Sequence, residues 1–186
     1  MPSRPAFVRL RIMRSLFFFA LFASPAFAQD QVSPAISFLK TGVICAPETV
    51  ATAPAPDTIA GVTNVIEQDP PFVSTINRVP AVLGIGFGAK AQSSDILGIS
   101  DVTIFVRHPA MGNEAVTLQS YETRISGLDP SITFYQFDFD YELLPGVWTI
   151  EARKGATLLY RSRFEVIPPQ DIPELADVCG FIDLLS

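Results

Sequence analysis

The stretch Gly146 to Val166 (GVWTIEARKGATLLYRSRFEV) is the feature that most restricts what this chain can become. Trp148, Ile150 and Ala152 alternate with Val147, Thr149, Glu151 and Arg153. Past Lys154-Gly155, Leu158, Tyr160, Ser162, Phe164 and Val166 alternate with Leu159, Arg161, Arg163 and Glu165. Successive side chains on a strand point to opposite faces, so each run has one apolar and one charged face. Glycine between the runs accepts the positive φ of a tight hairpin turn. Pro168-Pro169 ends the second strand, because proline has no N–H to give a ladder. A hairpin buried on one face has to be covered by a second layer.

The rest of the chain supplies strands for that layer. Ala35 to Cys45 reads as a strand with a break at Gly42, and Val62 to Glu67 as a short one. Ala46 to Gly61, rich in Pro, Ala and Thr, reads as an extended crossing segment. Asp101 to Arg107 alternates and is expected to end at His108-Pro109, and Ala115 to Ile125 returns. Ile132 to Glu142 looks the most regular strand, with Tyr135, Phe137, Phe139 and Tyr141 on one face and Gln136, Asp138, Asp140 and Glu142 on the other. Gln170 to Ala176 is expected to form a helical turn, and Cys179 to Leu185 an apolar tail lying on the core. Seven or eight short strands with turn signals between them predict an all-β, antiparallel two-sheet sandwich of immunoglobulin-like kind. An antiparallel barrel is the alternative.

Residues 1–28 read as a cleaved signal peptide rather than as part of the fold. Arg4, Arg9, Arg11 and Arg14 precede or open an apolar run, Leu16 to Ala23, and Ala26-Phe27-Ala28 is a small-x-small cleavage site before Gln29. The apolar run is shorter than the roughly 20 residues that span a bilayer, so no transmembrane segment is expected after cleavage. Translation starting at Met13 instead of Met1 gives the same mature chain, one domain over residues 29–186. Losing four arginines and no acid takes the formal net charge from −6 to −10. Such a chain repels nucleic acid and anionic surfaces at long range. The two cysteines, Cys45 and Cys179, are expected to be disulfide-bonded in an oxidising periplasmic or secreted setting.

The segments TGVIC, RVPAVLGIGFG, DVTIFVRHPAM and YELLPGVWTIEARKGATLLYRSRFEV together resemble the exported bacterial family of unknown function DUF3859, across essentially the mature chain. The Pro-Gly-x-Trp strand and its hairpin also resemble the closing strands of immunoglobulin-like and macroglobulin-like domains. The resemblance implies a sandwich and export, and implies no activity and no catalytic residue.

Few residues invite chemistry. Gly84, Gly86 and Gly88 form a Gly-x-Gly-x-Gly run, but no amphipathic helix follows to meet a phosphate, so a bulge or close sheet packing is the better reading. His108 is the sole histidine, too few for a histidine-based zinc site, and no Gly-x-Ser-x-Gly element accompanies it. Asp138, Asp140 and Glu142 are the best cation candidate. Strand neighbours two apart lie about 6.5–7 Å from each other, so a solvated stripe paired with Arg153, Arg161 or Arg163 is favoured over Ca²⁺. Trp148 is expected in the core.

No catalytic, cofactor or metal site is therefore assigned. The leading expectation is a non-enzymatic module of the bacterial envelope that contacts another envelope protein through an exposed sheet edge or face. A carbohydrate- or calcium-binding domain is the alternative, and a hydrolase with paired Asp/Glu is a third class. Intact mass of the exported protein should correspond to Gln29–Ser186. A mass that retains the apolar run would refute export by this route.

Overall fold

The computed structural model describes residues 30–180; the expected signal peptide and most of the expected apolar tail lie outside the described residues. Eleven strands form in chain order: β1 Gln31–Val32, β2 Ile36–Cys45, β3 Thr49–Pro54, β4 Val62–Ile66, β5 Arg78–Pro80 and β6 Ile85–Ser93. Then come β7 Ile99–Met111, β8 Val116–Ile125, β9 Ser131–Gln136, β10 Gly146–Lys154 and β11 Thr157–Ile167. One sheet runs β1-β11-β10-β7-β8, with β5 added in parallel to β11. The second is β2-β6-β9, and β3 and β4 pair only with each other as a two-stranded ribbon. Every pairing except β5–β11 is antiparallel. This is the expected all-β two-sheet sandwich. Among the described residues no helix is long and apolar enough to cross a membrane.

The hairpin forms where its alternation puts it. Trp148 faces Phe164 and Ile150 faces Ser162 across β10–β11, and Gly155 turns the chain at φ +55°. A bulge between Ala152 and Arg153 admits one extra residue of β11, so Leu159 as well as Tyr160 is buried. Trp148, Ile150, Tyr160 and Phe164 have no exposed surface, and the Trp148 Nε1–H donates to the Leu144 carbonyl at 3.0 Å.

The second sheet meets this face through Phe87 of β6. Its ring lies 4.8 Å from Phe164, 5.6 Å from Trp148 and 5.7 Å from Phe137, centroid to centroid. Glycine on the outer face of the same sheet allows a second close approach. A side chain on Gly42 would strike the Phe72 ring and the Ser74 carbonyl, because residues 72–74 fold against β2 there. Gly42 is therefore a packing position inside β2, not the break the sequence suggested.

Three other expectations are corrected. The 46–61 segment is not a simple crossing, since its alternating Thr49 to Pro54 pairs with Val62 to Ile66. The strand through Asp101 continues past His108-Pro109 to Met111. Its bonds to β10 stop at Arg107, one residue before His108, so Pro109 costs that ladder nothing. The strand expected over Ile132 to Glu142 ends at Gln136; Phe137 bonds back to Gly84 and Ile85, and Asp140–Glu142 is a turn of 3-10 helix.

Cys45, at the end of β2, is bonded to Cys179, with Cα atoms 5.4 Å apart. The bond fixes the short C-terminal helix Pro173–Ala176 and its following turn to the second sheet. It closes a loop across 134 positions, for which chain entropy predicts a stabilisation of about 5 kcal/mol. The double variant Cys45→Ser/Cys179→Ser should unfold at a clearly lower urea midpoint than the oxidised protein, with a steeper slope because the uncrosslinked unfolded chain is less compact. An unchanged midpoint would show that the bond does not support the fold.

Candidate functional site

The two sheets do not close at all their margins. At the β11 margin, β1 covers one end and β5 the other. At the β2 margin, Val43 and Ser74 form a bridge. The margins at β8 and β9 are consecutive in the chain but belong to different sheets, and among the described residues neither has a further strand beside it. Between them opens a cleft of about 710 Å³, with the β3–β4 ribbon as its outer wall.

Pairing parity shows which backbone groups face outward. In an antiparallel ladder, pairs that exchange hydrogen bonds alternate with pairs whose N–H and C=O point away. Phe137 N–H donates to Ile85, so Tyr135 and Thr133 bond inward to β6, and Ile132, Phe134 and Gln136 point their backbone groups out. All three line the cleft. On β8 the Ser120 N–H donates outward to the Asp57 carbonyl at 3.2 Å, so Leu118 and Glu122 also face out. Among the described residues, that bond is the one backbone contact made by the outward groups of either margin.

A chain of polar side chains runs behind the cleft. His108 follows Val102, Ile104 and Val106 in the inward-facing parity of β7, and it is only 6% exposed. Its ring lies 5.0 Å from the Trp148 ring. Gln119, inward on β8, lies 3.0 Å from His108 Nε2 through its Nε2 and 3.4 Å from the Tyr135 hydroxyl. Its Oε1 accepts the Ile59 N–H at 2.8 Å. The Tyr135 hydroxyl donates to Glu142 Oε1 at 2.7 Å, and Glu142 Oε2 accepts the N–H groups of Asp138 and Phe139 at 2.6 and 2.9 Å. Burial pushes the Glu142 carboxyl above its ordinary value, outweighing those three hydrogen bonds, and Asp138 nearby adds to the rise. Burial and then Glu142 push the Tyr135 hydroxyl upward too.

The carboxylate stripe expected on one strand face does not form. Asp138 and Asp140 are exposed in the turn, while Glu142 is 6% exposed and has both oxygens committed. Among the described residues no three His, Cys, Asp or Glu side chains converge as a metal-ion ligand set. Arg153 and Arg161 do not pair with that stripe either. They hold Glu151 at 3.0 and 2.8 Å, across the outer face of β10–β11. Burial would raise the Glu151 carboxyl, but the two guanidinium bonds outweigh it and hold the group below its ordinary value. The aromatic row is divided: Phe137 is core, while Phe139 and Tyr141 stack on each other at 5.2 Å, exposed near the cleft mouth.

Sequence reading placed His108 at a strand end and gave Gln119 no role. The signal was present as parity: even positions from Val102 carry on into His108. Glu142 was hidden because its alternation with Asp138 and Asp140 is equally that of a strand. Removing the Glu142 carboxylate strands the Tyr135 hydroxyl and two turn N–H groups, so Glu142→Ala should cost about 1–3 kcal/mol in urea unfolding. Tyr135→Phe should recover part of that loss when combined with it, and strictly additive effects would refute the coupling.

No family model matches the chain, and no curated protein matches it. Among solved structures, an immunoglobulin-like protein from Pseudomonas aeruginosa is similar at 20% identity, covering 76% of this chain and 99% of that one, with a TM-score of 0.47.

Proposed function

We propose that this chain is an exported, non-enzymatic module of the bacterial envelope that binds an extended segment of another envelope protein along the β9 margin. The observation that carries the reading is the uneven treatment of sheet margins. Two are covered by other strands or bridges, and two are left open on either side of one cleft. An unpaired margin recruits a strand, with backbone bonds giving affinity and alternate side-chain pockets giving specificity. The outward groups of Ile132, Phe134 and Gln136 match a guest strand of about five or six residues, since outward positions recur every second residue. The cleft walls carry Asp69, Glu122 and Asp138 against Arg124, so the guest is a segment rich in basic and hydroxyl side chains. Export rests on the leader-like first 28 residues, and the DUF3859 resemblance agrees with it without naming an activity.

A carbohydrate-binding reading has one supporting observation. The Phe139–Tyr141 stack offers an exposed aromatic ledge beside a wall of Thr49, Thr52, Thr63 and Asn64. In-cell photocrosslinking from Gln136 and from Thr123 separates the two. Strand addition predicts crosslinks to an extended segment of one protein. A peptide copied from that segment should protect the Ile132, Phe134 and Gln136 amides from exchange. Ile132→Lys should weaken the peptide by at least about tenfold, a loss of 1.4 kcal/mol, while barely moving the urea midpoint. Protection of these amides by oligosaccharides and not by the peptide would overturn the protein-contact reading.

A further inference from the structure

The ribbon that walls the cleft is held by very little. Among the described residues neither β3 nor β4 bonds to a sheet strand, and Val50, Val62 and Val65 of the ribbon are exposed. Its loop, residues 55–61, is fastened to β8 by the Ile59 N–H on Gln119 Oε1 and by the Ser120 N–H on the Asp57 carbonyl. At the other end Asn64 donates to Asp138 at 3.2 Å.

The first of these fastenings fixes a proton elsewhere. A backbone N–H can only donate, so the Gln119 oxygen must face Ile59. The Gln119 NH₂ group must then face His108, which makes His108 Nε2 a lone-pair acceptor. The ring proton therefore sits on Nδ1, and Nδ1 does lie 2.8 Å from a pure acceptor, the Pro109 carbonyl. The second Gln119 N–H points to the Tyr135 oxygen, whose own proton goes to Glu142. Every direction in the chain is determined, and it closes only with a neutral imidazole.

A proton on His108 Nε2 would face the Gln119 NH₂ group, donor against donor. Turning the amide over gives the imidazolium a good acceptor but sets NH₂ against the Ile59 N–H. The conflict is relieved when the loop leaves and Ile59 donates to water. We propose that protonation of His108 releases the 55–61 loop from Gln119, making the ribbon an acid-operated latch over the open β9 margin. Its consequence for docking rests on the function proposed above; the latch itself does not.

The titratable groups on the elements packed around His108 are Tyr135 of β9, Tyr121 on the inward parity of β8, Glu142 of the turn and Asp57 of the loop. Glu122 and Arg124 on β8, Arg107 on β7 and Glu151 and Arg153 on β10 belong to the opposite parity. Tyr135 and Glu142 join the chain, both through Gln119, and Glu142 is the competing site for an acid proton. Burial lowers the His108 pKa below its ordinary value of 6.5, and the Pro109 carbonyl opposes that only in part. The closed latch thus binds fewer protons than the open one. Its closure is complete above 6.5 and is lost as pH falls from there through the lowered closed-state value.

The chain carries its own reporters, since His108 is its one histidine and Trp148 its one tryptophan. In the wild-type protein the His108 ring signals should titrate below 6.5, with Trp148 emission quenched by the imidazolium in step. The protection factor of the Ile59 amide should fall by about tenfold per pH unit over the same range, as one-proton linkage requires. His108→Gln should leave Ile59 protection flat with pH. A His108 titration with constant Ile59 protection would overturn the latch, and so would loss of protection that follows Glu142 instead. If Ile59 responds but crosslinking from Gln136 is the same at both ends of the range, the latch stands and the docking margin is wrong.

Discussion

The packing of Phe87 between Trp148, Phe164 and Phe137 is the contact on which the remaining arrangement depends. It joins a ring from the three-stranded sheet to rings from the hairpin and from the chain just past β9. Aromatic groups at these separations add edge and face attraction to the area they bury. Phe87 sits between Gly86 and Gly88. A side chain at Gly88 would run into the Thr133 carbonyl and the Phe134 backbone, so β9 lies close only because that side chain is absent. The Gly-x-Gly-x-Gly run is thus a device for narrow strand spacing around one large inward ring, not a phosphate cradle.

Once that joint is set, the margins of the two sheets are unequal. Near β10 and β11 the interior is aromatic and aliphatic apart from Ser162. Toward β8 and β9 the inward positions become His108, Gln119, Thr133 and Tyr135, and the sheets part into the cleft. Polar groups so placed need partners, because an unpaired buried donor costs more than a formed bond returns. They find them in one another and in the Ile59 N–H of the ribbon. The ribbon is held by the needs of the interior rather than by apolar burial of its own.

Much of this was legible in the sequence, and the boundary of legibility has a physical cause. The hairpin, the sandwich, the Cys45–Cys179 bond and the burial of Trp148 follow from alternation, turn residues and redox chemistry, which act locally or by simple exclusion. Glu142 was misplaced because a period of two in Asp138, Asp140 and Glu142 does not distinguish a strand from a turn. What decides between them is Phe137 bonding back to the distant Gly84 and Ile85. Val62 to Glu67 reads as a strand, but its partner β3 is hidden because proline content masks the alternation of Thr49 to Pro54. A ribbon free of the sheets tolerates Pro54, where a central strand would not.

Charge completes the division of the molecule. Arg153 and Arg161 spend their guanidinium groups on Glu151, beneath the outer face of the hairpin, with Arg163 further along the same strand. A direct cross-strand carboxylate–guanidinium pair of this kind is local and nearly neutral. The acids around the cleft have no such compensation: Asp69, Glu122 and Asp138 face Arg124. Three acids against one arginine are therefore presented beside the unpaired backbone, while Arg153, Lys154, Arg161 and Arg163 are gathered on the hairpin. A guest strand that is neutral in backbone and basic in side chain would be drawn to the same margin by both terms, while an acidic one would be opposed by the second. The open margin and the acidic wall are separate properties of the sequence, and the proposed strand addition rests on their coincidence on one side of the sandwich.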